Sequence, residues 1–537
     1  MSGGAGGAGG AGSTSIFDTS GVRRGDDEVL HYSGLPESLV AMLAAQVAER
    51  PDQEAVVELP DPDPEVGGER VALTYRQLWD RAQRVAGGLR AEGIRRGDRV
   101  AIRLGNGIPW VLAFWGVQLA GALAVPVNMR FSEDEARYVV EDSGAAYVVA
   151  EGARGAEGAG GVALPDGPPY REEGLGPADP AAIFYTSGTT GFPKGAVTTH
   201  ENFLSNCETC RRVMDYGGGA GESRQPGLRT LVSVPLFHVT GCNSQLLFLA
   251  HIGGTTVIMP RFEVKAFLRA IEEERINLVT SVPAIYWLAL NRPEFARTDV
   301  SSVTKISYGG APIAPELVGR IRKAFPAARV GNGFGLTETS SVATFLPHEF
   351  ADHADSVGFA APVCELRVVD AGPDGVGELL VRGPNVVAGY WNKPEATEAA
   401  FLPGGWLRTG DLARVDERGL VRIVDRAKDM INRGGENVYC VEVENALAGA
   451  PGVQEAAVVG VPDEVMGEKV GAVLVPLPGA EVDVPAVLAH LRGLIADFKL
   501  PEYVAIREEP LPRNPGGKIL KRPLRESGEL DWVSTGK

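Results

Sequence analysis

The sequence has few cysteines, a deficit of basic residues and no apolar run long enough to cross a membrane. Its five cysteines, in a chain of 537 residues, are too few and too scattered for a disulfide framework, which favours a reducing, cytoplasmic location. Lys and Arg number 52 against 69 Asp and Glu, which gives a formal net charge of −17. Nucleic acids and anionic membranes are bound by clustered basic faces, so neither is an expected partner.

The most apolar stretch, residues 110–127, contains Gln118 and ends in a Pro-Val pair. A membrane-spanning helix needs roughly 20 apolar residues. The stretch therefore predicts a buried helix that runs into a strand. Residues 1–27 are rich in Gly, Ala and Ser, and lack the basic start and the apolar core of a signal peptide. They predict a disordered tail.

The chain does contain an alternation of helix-like and strand-like segments. Helical periodicity over residues 73–89 is followed by short apolar runs such as 100–104, a pattern typical of an α/β core. Beyond about residue 425 the segments become short strands and short helices. We therefore predict a large multi-layer N-terminal domain of βα units (28–425) and a small α+β C-terminal domain (426–537).

A glycine-rich loop follows a predicted strand at residues 181–185. Residues 186–195 (TSGTTGFPKG) carry three glycines, four hydroxyl side chains and Lys194. Backbone amides, hydroxyls and an ammonium group in such a loop can bind phosphate oxygens. Lys194 lies between Pro193 and Gly195, so the segment is not a P-loop, which requires Gly-Lys followed by Ser or Thr. The alternative interpretation is a flexible surface turn.

Six segments together resemble the adenylate-forming superfamily of AMP-dependent synthetases and ligases, in its acyl-CoA synthetase branch. They occur in the order of that family's motifs, and the similarity extends from about residue 35 to residue 527. The segments are 185–195 (YTSGTTGFPKG), 331–339 (GNGFGLTET), 406–411 (WLRTGD), 423–429 (IVDRAKD), 432–439 (NRGGENVY) and 512–521 (PRNPGGKILK). The resemblance implies a mobile C-terminal lid and a site for ATP, Mg²⁺ and coenzyme A.

The resemblance also implies roles for individual residues at the nucleotide. The nucleotide is expected to contact Thr186, Ser187, Gly188, Thr189, Thr190, Lys194, Gly310, Ala311, Asn332, Gly333, Phe334, Gly335 and Thr337. Phe334 is expected to stack on adenine, Thr337 to meet the α-phosphate and Glu338 to ligate Mg²⁺. The family commonly has Tyr where this chain has Phe334, so the π face is kept but the hydroxyl is lost.

The resemblance implies roles for three further residues, two at the ribose and one at the hinge. Asp411 and Arg426 are expected to contact the ribose, where the Asp411 carboxylate can accept hydrogen bonds from the hydroxyls. Lys428 is expected to be the pivot of a hinge near residues 425–428. Without the neighbouring motifs, the charged run around Lys428 would be interpreted as a solvated surface.

The predicted lid contributes two further elements. Gly434 and Gly435 are expected to line the pantetheine tunnel, where the absence of a Cβ lets backbone approach closely. Lys518 is expected to reach the carboxylate and the α-phosphate during adenylation. The catalytic residues that the resemblance implies are Lys518, His238, Thr186 and Glu338.

One segment, residues 235–241 (PLFHVTG), bears on the substrate. The amino-acid-activating branch has Asp in the place of His238, where it pairs the α-ammonium, so an amino acid here would bury an unpaired charge. Fatty, other hydrophobic acyl, or aryl acids are therefore the expected substrates. The resemblance makes His238 a gate near the carboxylate and the thiol path, and a packed core histidine is the alternative.

The expected reaction has two halves. Carboxylate attack on the α-phosphorus of ATP gives acyl-AMP and pyrophosphate, and thiol attack on acyl-AMP then gives a thioester and AMP. Coenzyme A is the expected acceptor because the sequence contains no carrier-protein segment of the Leu-Gly-Gly-x-Ser type. The alternatives are an aryl-CoA ligase, an acyl-AMP ligase that loads a carrier protein, and an inactive nucleotide-binding regulator; the oligomeric state stays open.

Overall fold

The computed structural model describes residues 15–151, 163–186, 193–214, 227–311, 313–434, 436–513, 519–526 and 530–536. Its strands are β1 (Val22–Arg24), β2 (Leu30–Tyr32), β3 (Glu54–Glu58), β4 (Val71–Thr74), β5 (Arg99–Arg103), β6 (Leu123–Pro126), β7 (Tyr147–Ala150), β8 (Pro180–Thr186), β9 (Lys194–Thr199), β10 (Arg229–Val232), β11 (Thr255–Ile258), β12 (Leu278–Ser281), β13 (Lys305–Gly309), β14 (Arg329–Phe334), β15 (Thr344–Leu346), β16 (Phe359–Ala360), β17 (Glu365–Val369), β18 (Gly377–Arg382), β19 (Phe401–Leu402), β20 (Trp406–Val415), β21 (Val421–Arg426), β22 (Ile431–Arg433), β23 (Glu436–Val438), β24 (Val453–Asp463), β25 (Gly467–Pro476), β26 (Tyr503–Ile506) and β27 (Val533–Ser534).

The α-helices are α1 (Leu39–Glu49), α2 (Tyr75–Ala91), α3 (Ile108–Leu119), α4 (Glu133–Ser143), α5 (His200–Val213), α6 (Val239–Gly241), α7 (Phe248–Ile252), α8 (Val264–Glu273), α9 (Pro283–Leu290), α10 (Pro315–Ala324), α11 (Pro394–Ala400), α12 (Cys440–Leu447), α13 (Val484–Arg492) and α14 (Lys521–Glu526). A π-helix spans Cys242–Leu247, and 3₁₀ turns span Pro293–Arg297, Thr337–Thr339, His348–Phe350 and Asp497–Lys499.

A first sheet has the strand order β7-β5-β6-β8-β9 and is parallel except for the antiparallel β8–β9 pair. Helix α3 is buried on nearly all sides, which is typical of a helix enclosed between layers. The rings of Trp110 and Phe114 stack within it, with centroids 5.4 Å apart. Because α3 leads into β6, the structure confirms the buried helix and strand predicted from the apolar stretch.

A second sheet has nine strands in the order β16-β15-β14-β13-β12-β10-β11-β3-β4. Its strands from β14 through β3 are parallel. Open parallel sheets hold ligands at the carboxyl ends of their strands. The carboxyl ends of β13 and β14 are where the sequence predicts the glycine-bearing loops of the nucleotide site.

The remaining strands form two further sheets beside a small β1–β2 ribbon. One has the order β17-β18-β20-β19, with β21 paired to β20, and the last has the order β23-β22-β25-β26-β27, with β24 paired to β25. The last sheet, with α12 and α13, encloses a hydrophobic core of its own that runs from Ile431 to Val504. The predicted α/β class with a large N-terminal part and a smaller C-terminal part is confirmed; the boundary at residue 425 stays a prediction.

The predicted disordered tail does not hold for the part of it that the structure describes. Within residues 15–27, β1 pairs with β2, and Arg24 forms an ion pair with Glu365 at 2.9 Å. Arg212 Nη1 also donates to the backbone oxygens of Asp18 and Ser20, at 3.0 and 2.8 Å. The contacts of Arg24 and Arg212 join segments far apart in the sequence, so local composition could not indicate them.

All five cysteines lie among the described residues and are buried and free. In the parts of the chain that the structure describes, no helix combines the length and the apolar character needed to span a membrane.

Candidate active site

The glycine-rich loop connects the two strands of a hairpin. Thr186, the last residue of β8, lies opposite Lys194, the first of β9, and its hydroxyl donates to the Lys194 backbone oxygen over 3.4 Å. Just before the loop, the Tyr185 hydroxyl donates to Asp142 Oδ2 over 2.8 Å. Both ends of the loop are thereby held in the first sheet. The predicted phosphate contacts Ser187, Gly188, Thr189 and Thr190 lie outside the described residues.

Glycines line the carboxyl ends of β13 and β14. Gly309 and Gly333 lie opposite each other, and a Cβ on Gly309 would come within 2.2 Å of the Gly333 backbone oxygen. Gly310 follows with φ +74°, in the left-handed region that favours glycine, and Ala311 comes next. A side chain at Gly309 would force the strands apart. The glycines therefore keep this edge of the sheet narrow.

The end of β14 is fixed by buried contacts. The Asn332 side-chain amide donates to the Ser356 backbone oxygen over 3.1 Å. Phe334 is partly buried against the apolar core beneath β18 and β20. A Cβ on Gly335 would come within 1.4 Å of the Ser341 backbone oxygen, so only glycine fits there. Asn332 thus stabilises the strand end that presents the predicted nucleotide contacts.

Glu338 lies in the 3₁₀ turn Thr337–Thr339 and is held by a segment from much later in the chain. The Val387 N–H donates to the Glu338 backbone oxygen over 2.9 Å, and the Tyr390 hydroxyl donates to Glu338 Oε1 over 2.7 Å. Lys194 Nζ lies 5.2 Å from the centroid of the Tyr390 ring. The structure therefore joins Lys194 and Glu338, which the sequence predicts to act on phosphate and metal, through a shared tyrosine.

The turn after Glu338 is strained and is held by the π-helix Cys242–Leu247. Ser340 and Ser341 have φ +53° and +118°, a region that residues with a Cβ rarely adopt. Asn243 Nδ2 donates to the Ser340 backbone oxygen, and the hydroxyls of Ser244 and Ser341 lie 2.6 Å apart. Single-turn π-helices are frequent at functional sites. These contacts connect the π-helix, which directly follows the predicted substrate segment 235–241, to the Glu338 turn.

His238 lies within the predicted substrate segment and directly precedes α6. Burial, together with the smaller effect of the Arg130 charge, lowers the pKa of His238 from 6.5 to about 4. Its Nε2 is buried and has no hydrogen-bond partner among the described residues. The ring is therefore neutral at physiological pH, and one nitrogen stays available to a bound molecule.

Asp411 and Arg426 lie opposite each other on β20 and β21. Arg426 Nε and Asp411 Oδ1 are 2.7 Å apart, and Asp411 is 2% exposed. The Asp411 backbone N–H donates to Thr409 Oγ1 over 3.1 Å. The two residues predicted to contact ribose therefore form one preorganised pair.

The predicted hinge begins directly after Arg426. Asp425 is buried, and its carboxylate accepts the Arg426 N–H over 2.7 Å and also the Cys440 N–H at the start of α12. Burial raises the pKa of Asp425 to about 6, although the Lys521 charge opposes that effect. Partial desolvation lowers the pKa of Lys428. Asp425 thus connects the two sides of the predicted hinge.

Gly434 occupies the tip of the turn between β22 and β23. It has φ +60°, its N–H donates to the Met466 backbone oxygen over 2.8 Å, and a Cβ would come within 2.5 Å of Met466 Cε. The left-handed φ favours glycine at this position, whereas the Met466 contact is with the end of a flexible side chain. Gly435 and Lys518 lie outside the described residues.

Comparison with known proteins identifies the family. Residues 43–391 match the AMP-binding enzyme family, and residues 442–518 match its C-terminal domain. The chain belongs to the AMP-binding enzymes. Feruloyl-CoA synthase of an Amycolatopsis species is 38% identical over 475 residues, which cover 84% of this chain and 94% of the relative. Long-chain-fatty-acid–CoA ligase FadD13 of Mycobacterium tuberculosis is 37% identical over 485 residues, 85% of this chain and 93% of the relative.

A solved structure gives the same result. O-succinylbenzoate coenzyme A synthetase from Bacillus subtilis, in complex with ATP and magnesium, has a TM-score of 0.76 and 28% identity, covering 90% of this chain and 99% of that one. This AMP-binding enzyme is therefore an acid–thiol ligase of the acyl-CoA synthetase branch. The resemblance predicted from its motifs is confirmed, whereas the roles of the individual site residues stay predictions.

Several residues that shape the site of this ligase were not indicated by the sequence. Tyr390 is one of them. The side-chain amides of Asn206 and Asn385 both donate to the Val342 backbone oxygen, at 3.0 and 3.1 Å, and Asn385 also donates to the Thr339 backbone oxygen at 3.0 Å. Asn206 is a fully buried polar residue on α5, and buried polar residues need partners. A polar residue on the apolar face of a predicted helix is the signal that could have found it.

Proposed function

We propose that this ligase activates a hydrophobic carboxylic acid, fatty or aryl, with ATP and Mg²⁺ and transfers it to coenzyme A. The observation that carries the choice of acid is the buried, neutral His238. An α-amino acid would bring an ammonium group next to a ring whose environment already disfavours positive charge. Relatives named for feruloyl and for long-chain fatty acids support the same class.

The residues present fit the nucleotide and the metal. Lys194 supplies a cation at the end of the phosphate loop, and Asp411 with Arg426 supplies an acceptor and a donor for the ribose. A Cβ on Gly333 would lie no closer than 3.8 Å to its nearest neighbours, so glycine at this position leaves space beside the strand end that a side chain would fill. Mg²⁺ is usually held by one or two carboxylates and by substrate phosphates, which suits Glu338. When bound, it would offset negative charge on the phosphoryl oxygens.

In the first half-reaction the substrate carboxylate attacks the α-phosphorus, and pyrophosphate leaves with the electrons of the broken P–O bond. Lys194 and Lys518 offset the charge that develops on the phosphoryl oxygens. Thr186 and the glycine-rich loop position those oxygens. In the second half the thiol attacks the acyl carbon of acyl-AMP, and AMP leaves. Both halves depend on positioning and charge, so no protein nucleophile is required.

The lid provides different groups to the two halves. Lys518 serves adenylation and the Gly434–Gly435 turn serves thioester formation, so we propose that a rotation about Lys428 exchanges them. Asp425 lies beside that pivot and contacts the first residue of α12. We propose that this contact belongs to one of the two lid orientations.

A screen of acids tests the proposed function. Pyrophosphate release and hydroxamate trapping are measured over fatty, aryl, dicarboxylic and α-amino acids, with and without coenzyme A. We expect fatty or aryl acids to release pyrophosphate and to give a thioester with coenzyme A. Activation of α-amino acids at a comparable rate would contradict the choice of acid. Acyl-AMP that reacts with a carrier protein but not with coenzyme A would contradict the proposed acceptor.

A further inference from the structure

Tyr390 lies between two residues that the proposed mechanism uses separately. Its hydroxyl donates to Glu338 Oε1 over 2.7 Å, and Lys194 Nζ lies 5.2 Å from the centroid of its ring. Lys194 belongs to β9 in the first sheet, whereas Glu338 follows β14 in the second. One side chain therefore contacts both the predicted phosphate cation and the predicted metal ligand.

The backbone around Tyr390 is fixed to the phosphate hairpin. The Trp391 N–H donates to the Gly195 backbone oxygen over 2.7 Å, and the Val197 N–H donates to the Gly389 backbone oxygen over 3.0 Å. Between these bonds Tyr390 forms a bridge with the residue that follows Gly195. The backbone that carries the Tyr390 ring is thus held by main-chain bonds to β9.

The chemistry of each contact suits a positioning role. Burial and the neighbouring Glu338 carboxylate raise the pKa of Tyr390, so its hydroxyl keeps its proton and donates. The hydrogen bond engages Oε1, and a carboxylate has a second oxygen with which to ligate a cation. The face of an aromatic ring attracts an ammonium group such as that of Lys194.

We propose that Tyr390 is a positioning residue of the adenylation half-reaction. Its hydroxyl orients the Glu338 carboxylate for magnesium, and its ring holds the Lys194 ammonium beside the phosphate loop. The inference rests on the proposed function, in which Glu338 ligates magnesium and Lys194 contacts phosphate. It adds the residue that sets the distance between the two charges.

Two variants of Tyr390 separate the two contacts. Tyr390→Phe removes the hydroxyl and keeps the ring, whereas Tyr390→Leu removes both. Calorimetric titration measures the affinity for ATP with Mg²⁺, for ATP with EDTA, and for AMP. For Tyr390→Phe we expect ATP to bind about tenfold more weakly with Mg²⁺, but within about twofold of wild type with EDTA. Tyr390→Leu should also weaken ATP binding in EDTA, by roughly threefold.

Further measurements distinguish positioning from a general structural role. For Tyr390→Phe, AMP affinity should match wild type, and the Mg²⁺ concentration that gives half-maximal pyrophosphate release should rise about tenfold. In a Glu338→Gln background, Tyr390→Phe should change that concentration less than about twofold. Tyr170→Phe is the matched control, since it removes a tyrosine–carboxylate hydrogen bond to Glu172 outside the site.

The outcomes are separable. If the wild type binds MgATP and Tyr390→Phe shows the same Mg²⁺ dependence as the wild type, this inference alone is refuted. Equal losses for AMP, for ATP in EDTA and for MgATP would indicate a structural role and would also overturn it. A wild type with no Mg²⁺-dependent ATP binding would refute the proposed function, and the inference with it.

Discussion

His238 allows a test in which a charge is placed where the structure keeps a neutral ring. Burial, with a smaller contribution from Arg130, lowers the pKa of His238 from 6.5 to about 4. A shift of that size corresponds to about 3 kcal/mol against a positive charge at this position. Arg130 would attract a carboxylate, which reduces the penalty expected for His238→Asp to about 2 kcal/mol, or about 30-fold in kcat/KM for hydrophobic acids. The neutral variant His238→Asn is the reference.

The assay is the rate of hydroxamate-trapped acyl-AMP formation between about pH 5 and pH 8. Because the fold lowers the pKa of His238, its neutral form is favoured. The resulting stability is present above pH 6.5 and is lost as the pH falls toward 4. Wild-type kcat/KM should therefore show no inflection near pH 6.5. An inflection there that is absent in His238→Asn, or a His238→Asp variant as active as His238→Asn, would refute the reasoning.

Three further changes test other parts of the site. Arg426→Ala removes the 2.7 Å ion pair with buried Asp411, so the free energy of unfolding, measured in urea, should fall by about 2 kcal/mol. The affinity for AMP should fall about tenfold, and an unchanged AMP affinity would contradict the ribose role. Gly309→Ala brings a Cβ within 2.2 Å of a neighbouring backbone oxygen, so the free energy of unfolding should fall by about 1–3 kcal/mol and ATP binding, measured by calorimetry, should weaken. The control Gly319→Ala places a Cβ in open space on α10 and should change neither quantity. Lys518→Ala should abolish pyrophosphate release and spare thioester formation from supplied acyl-AMP; equal loss of both half-reactions would refute the lid exchange.

The sequence was sufficient for the parts of the fold and site that depend on local patterns. The phosphate loop, the Thr-Glu pair and the Thr-Gly-Asp element are contiguous motifs, so each could be located from its own residues. The apolar run at residues 110–127 likewise indicated α3 and β6.

The parts that could not be predicted depend on contacts between distant segments. Strand β3, near residue 54, pairs with β11, near residue 255, and no local pattern indicates that partner. The hydroxyl of Tyr390 meets Glu338 across 52 residues of sequence. Burial that shifts the pKa of Asp425 is likewise a property of the packed structure. Local motifs therefore predict which groups react, and tertiary packing determines what holds those groups in place.

The most direct test of the proposed function is the product mixture formed by the purified protein with ATP, Mg²⁺, coenzyme A and a fatty or aryl acid. Mass spectrometry of that mixture should find acyl-CoA, AMP and pyrophosphate in equal amounts. ADP and phosphate as products, or acyl-AMP that accumulates in the presence of coenzyme A without any thioester, would contradict an AMP-forming acid–thiol ligase.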